Sequence, residues 1–164
     1  MKSHRSILVK AAEAVADSRE IAEYCREHFG RALDITVGAY ASGVPTENDS
    51  PFLWITPSER EESEMVANDE VFQARFVVAG CVKGDAGERV INARLRERTE
   101  SQNGLTVNGG NEIVETLRDM IAEVVINAKA GAIVSGIARE ENDISHFPLE
   151  WATMYVTYFE PEAL

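Results

Sequence analysis

The segment Pro51-Phe52-Leu53-Trp54-Ile55-Thr56-Pro57 constrains the fold of this chain more than any other: it is a short apolar run with a proline at each end. Proline has no backbone N–H to give to a ladder and restricts the residue before it, so a strand here stops at its own boundaries. Its flanks are acidic, because Val44 to Glu70 holds eight acidic residues and one basic, Arg60. These acids, Glu59, Glu61, Glu62 and Glu64 among them, read as a solvated rim, with contact to a partner as the sharper alternative.

Two longer runs follow period two. From Val71 to Val82 one face takes Phe72, Ala74, Phe76, Val78, Gly80 and Val82, and the other takes Gln73, Arg75, Ala79 and Cys81. That reverse side also carries Val71 and Val77, so it is only partly polar and needs a cover, either a helix or a neighbouring subunit. Trp151 to Phe159 alternates too, with Thr153, Tyr155, Thr157 and Phe159 on the side of Trp151 and Ala152, Met154, Val156 and Tyr158 opposite. Ala132 to Ala138 is strand-like, and the polar turn after it sets these last two strands up as a hairpin. Leu33 to Val37 is compatible with a first strand, followed by a loop from Gly38 to Asp49.

Helical spacing appears in three places. Ile7, Leu8, Ala11, Ala14 and Val15 recur on one face, and a D-x-x-E capping signal at Asp17 and Glu20 precedes Ile21, Tyr24, Cys25 and Phe29. These form two helical segments, or one with a kink, ending at Gly30. Asn111 is placed to cap a helix running to Lys129, with Ile113, Leu117, Met120, Ile121, Val124 and Ala128 as its apolar stripe.

Between Lys83 and Gly110 lie five glycines and the alternating Arg94, Arg96 and Arg98, with Arg89 just upstream of them. This reads as a long flexible insertion or arm, unusual inside a compact domain unless it has a job. If extended, its arginines project to one side. At 164 residues, with no repeat and no composition shift, the chain is expected to be one domain spanning 1–164 with the arm at about 83–110. The fold class is α+β: a small, mostly antiparallel mixed sheet with helices packed on one face.

The formal charge of −12 argues against non-specific binding to nucleic acid, which needs lysine and arginine to displace counterions. Cys25 and Cys81 stand apart in apolar surroundings and read as reduced core residues. No signal peptide opens the chain and no apolar run reaches the roughly 18 residues of a membrane span, so a protein that is cytoplasmic or assembled from the cytoplasm is expected. His4, His28 and His146 are scattered, without metal or nucleophile spacing, and His146 beside Asp143 reads as a turn histidine held by a carboxylate. Gly84 and Gly87, or Gly109 and Gly110, lack the lysine and spacing of a phosphate loop. No catalytic residue, metal site or cofactor is expected, and an assembly subunit is favoured over an enzyme.

This arrangement of an N-terminal helix, the Pro51 to Ile55 strand, the Phe72 to Val82 strand, the Asn111 to Ala130 helix and a closing pair ending in Trp151 to Phe159 resembles the tail terminator and tail completion proteins of long-tailed bacteriophages, the minor tail protein U kind, and their prophage-derived relatives. The resemblance implies a structural subunit of the virion tail, present in the host cytoplasm during assembly. It implies a homo-oligomeric ring, commonly a hexamer, that caps the tail tube, ends its polymerisation and receives the head–tail connector. Another neck or connector protein, or a monomeric binding module unrelated to phages, is the alternative. Within a ring, the arm with Arg89, Arg94, Arg96 and Arg98 is expected to reach the Glu59, Glu61, Glu62 and Glu64 rim of a neighbour.

Overall fold

The computed structural model describes residues 4–38, 45–57, 71–81, 85–92, 95–102, 105–108, 110–140 and 150–160. Two N-terminal helices, α1 (His4–Ala16) and α2 (Arg19–Phe29), are joined through Asp17 and Ser18. Ser18, not Asp17, caps α2: its Oγ accepts the Ile21 N–H at 3.4 Å. The D-x-x-E spacing misled by one residue, since the extended φ and ψ of a cap fall on Ser18. Gly30 closes α2 with φ +75°, where its N–H reaches the Arg26 carbonyl; a left-handed C-terminal residue favours glycine.

The main sheet contains β1 (Asp34–Val37), β2 (Phe52–Pro57), β3 (Val71–Gly80), β7 (Ile133–Arg139) and β8 (Glu150–Phe159), in the order β1-β2-β3-β8-β7. β1 and β2 run parallel, and every other pair is antiparallel. The proline fence holds on its first side, with β2 beginning directly after Pro51, while Pro57 is itself the last ladder residue, opposite Ala74. The fold is α+β, as its sequence pattern indicates.

Register explains the core. Ile35, Leu53, Val78 and Ala152 form one row across four strands, and Val37, Ile55, Phe76 and Met154 form the next. Both rows face α1, α2 and the long helix α3 (Gly110–Asn127), whose Val114, Leu117, Ile121 and Val125 are buried against them. Tyr24 ties α2 to α3 by donating its hydroxyl to the Ile113 carbonyl at 2.8 Å. α3 starts one residue ahead of the expected cap at Asn111 and stops at Asn127, leaving Ala128 outside it. Its buried stripe includes Val114, Ala122 and Val125, while Met120 and Val124 are only partly covered. At Gly80 an added methyl would fall within 2.7 Å of the Phe29 ring, so only glycine lets α2 approach β3 so closely.

Odd positions of β3 and β8 point away from the helices. At one end of this second face Phe52, Val77, Ala79 and Trp151 form a separate buried cluster, joined by the partly buried Trp54 and Cys81. Trp54 donates its indole N–H to the Gly38 carbonyl at 2.6 Å, pinning the exit of β1 to β2.

Within 83–110, the span read as a long flexible insertion or arm, the described residues form a second antiparallel sheet of β4 (Asp85–Asn92), β5 (Leu95–Gln102) and β6 (Leu105–Asn108). The arginine alternation is a strand period; it reads as loop because Leu95 is the one apolar residue in β5 and no apolar alternation accompanies it.

Candidate interaction surfaces

Of the residues expected to carry an interface, Arg89 lies on β4 and Arg96 and Arg98 on β5. Arg94, Glu59, Glu61, Glu62 and Glu64 lie outside the described residues. The register sets Arg98 opposite Glu88, Arg96 opposite Val90 and Arg89 opposite Glu97. Two of these arginines thus have acidic residues at the register positions opposite them within their own sheet.

Two other surfaces stand out. The first is the open end of the sheet's second face, which sequence alone identified only as needing a cover. Three rows cross β3, β8 and β7 there: Arg75–Tyr155–Ala138, then Gln73–Thr157–Gly136, then Val71–Phe159–Ile133. Phe159 is 38% exposed and Ile133 58%. Arg75 is partly exposed, yet its Nε is buried with no hydrogen-bond partner. A buried donor left unpaired costs about 1–3 kcal/mol, more when charged, so this one needs an explanation.

The second surface is a cleft of about 420 Å³ where the α1–α2 junction meets the last turns of α3. Ile21, Met120 and Val124 line it, with Asp17, Glu20 and Glu123 among its polar residues. Beyond it on α3, Ile126 is 54% exposed. Asp119, two turns earlier, is held at 2.8 Å by Arg139 of β7 and at 3.4 Å by Arg118.

Neither surface brings a nucleophile to a base. His4 is stacked on Phe72 with ring centroids 3.9 Å apart, and His28 lies against Tyr24 at 4.2 Å. His146 lies outside the described residues. Among the described residues no three His, Cys, Asp or Glu side chains gather in a metal-holding group, and no helix is long and apolar enough to cross a membrane.

Cys25 is fully buried, and burial pushes its thiol up to about 12 from 9.0. Burial likewise raises the Tyr158 phenol above its ordinary 10.0. Both groups are neutral in the fold and ionise first in the unfolded chain, so their stability is intact below about pH 9 and lost as pH climbs toward 12. Each removes up to about 1.4 kcal/mol per pH unit in that window. The urea midpoint is expected to stay level to about pH 8 and fall above pH 9, with Cys25→Ala falling less steeply; an alkaline limb unaltered by Cys25→Ala contradicts the assignment.

The described residues form an α+β fold with a five-stranded and a three-stranded sheet. No family model matches the chain, nor does any curated protein.

Proposed function

We propose that this chain is a structural assembly subunit that closes into a homo-oligomeric ring of the phage tail terminator and tail completion kind. In that role it caps a tube of stacked subunits, ends its growth and offers a face to the head–tail connector, in the virion tail and in the host cytoplasm during assembly. The observation that carries the reading is the half-open sheet face, where Phe159 and Ile133 are exposed side by side, two rows from the partly exposed Arg75. A contact that closes a ring joins two different patches of the same molecule, and this face and the acid-lined cleft lie on opposite layers of the sheet. A neck or connector subunit belongs to the same class and uses the same contacts.

Multi-angle light scattering over a concentration series tests the reading. A ring is expected to weigh a whole multiple of 18.1 kDa, with six copies as the reference. The cleft, with Asp17, Glu20 and Glu123, favours a second reading, a monomeric module that takes a basic partner. A mass of 18.1 kDa at every concentration selects that one and ends the ring proposal.

A further inference from the structure

The three exposed large hydrophobic side chains among the described residues divide between two surfaces of opposite charge. Ile133 and Phe159 sit side by side on the open sheet face, two rows from Arg75. No acidic residue occurs anywhere in β3, in β7 or from Trp151 to Phe159, although acids outnumber bases 28 to 16 in the chain. Ile126 is on α3, three positions after the exposed Glu123. Asp119 on the same stripe is already engaged by Arg118 and Arg139, which leaves Glu123 as the carboxylate nearest in sequence to Ile126.

The two patches are complementary: an apolar pair two rows from a cation on one, an apolar residue three positions from an anion on the other. We infer that the open sheet face of one copy receives the Glu123–Ile126 stripe of α3 from a second copy, with Glu123 accepting from Arg75 and Ile126 covering Phe159 and Ile133. The inference rests on the ring reading and names its subunit contact. Charge complementarity selects the occupant: Arg75 is a partly exposed cation on a face where the described residues of β3, β7 and Trp151 to Phe159 include no acid, and the stripe a second copy presents carries the exposed Glu123.

Helix-on-sheet packing is favoured here over the addition of a strand along β7. The β7–β8 ladder breaks register between Val134 and Gly136, and Ser135 turns its hydroxyl back to the Thr157 carbonyl at 3.3 Å. Such a bulge twists an edge and interrupts its row of free N–H and C=O groups, which protects it from pairing with another strand. The side-chain surface, not the edge, is then the available contact. Because the donor face and the acceptor stripe are on opposite layers, each copy uses both, and the contact propagates until a ring closes.

The test uses the full chain in light scattering, with circular dichroism to confirm folding. Arg75→Glu and, separately, Ile133→Asp are each expected to raise the dissociation constant of the oligomer at least tenfold, or about 1.4 kcal/mol. The double reversal Arg75→Glu with Glu123→Arg is expected to recover the mass of the parent oligomer. Ile133 is already exposed, so its substitution reports on the contact even where a change at Arg75 disturbs the strand. An oligomer insensitive to both single substitutions overturns this contact and leaves the ring reading standing, as does a double reversal that stays dissociated. A parent chain that is monomeric throughout overturns both.

Discussion

Phe76→Ala is expected to lower the free energy of unfolding by roughly 3–5 kcal/mol, a large part of the 5–15 kcal/mol typical of a whole domain. The ring of Phe76 is fully buried at the centre of the row Val37–Ile55–Phe76–Met154, directly under the helical layer. β3 is the middle strand of five, held by a ladder on both sides, so neither neighbour can collapse into the space without moving its own hydrogen bonds. Urea unfolding followed by circular dichroism reads the shift. A loss below about 1 kcal/mol means that Phe76 does not occupy this row.

Trp151→Ala carries an effect of similar size, roughly 3–5 kcal/mol, on the opposite face of the sheet. Trp151 is 4% exposed and meets Phe52 edge to face, with centroids 5.8 Å apart and planes at 81°. Ala79 lies between them in register, opposite Phe52 on one side and Trp151 on the other. Its methyl group is small enough for the two rings to touch across β3, so this contact links β2 to β8 without a ladder between them. A double-mutant cycle with Phe52→Ala should return a coupling of about 0.5–1.5 kcal/mol. Independent losses at the two positions would remove the cross-strand contact from the account.

Strong periodicity made much of this fold legible in the sequence. The alternations of Val71 to Gly80 and Trp151 to Phe159 assign each residue to the face it occupies, because apolar and polar positions differ on a half-buried strand. The hairpin of β7 and β8 followed from adjacency and a polar turn between them. What escaped was the second sheet, where polar residues on both faces erase the apolar signal. There the informative feature was the Asn103-Gly104 dipeptide, the only residues between β5 and β6 and a strong marker of a two-residue hairpin connection. The α2 cap was missed by one position because Asp17 and Ser18 are both good caps and only backbone geometry chooses between them.

The interaction surfaces were legible only in part. That the reverse side of β3 needs a cover follows from Val71 and Val77 standing on it beside Arg75. That Ile133 and Phe159 join Val71 in one row depends on the pairing of three strands far apart in the chain, which no local pattern encodes. Nothing in the sequence sets Glu123 apart from other helix acids; the exposure of Ile126 beside it does.

The pairing of β3 with β8 has a consequence for biosynthesis. Its two strands, Val71–Gly80 and Glu150–Phe159, are the middle and the penultimate members of the main sheet, and everything from β4 to β7 lies between them in the chain. A nascent chain emerging from the ribosome can form α1, α2 and the β2–β3 pair early, yet β3 keeps one bare edge until the final strand has been translated. Closing so distant a pair is slow compared with forming local structure. Truncation before Trp151 therefore leaves an unfinished sheet with an adhesive edge, and aggregates rather than a smaller folded domain are its natural product.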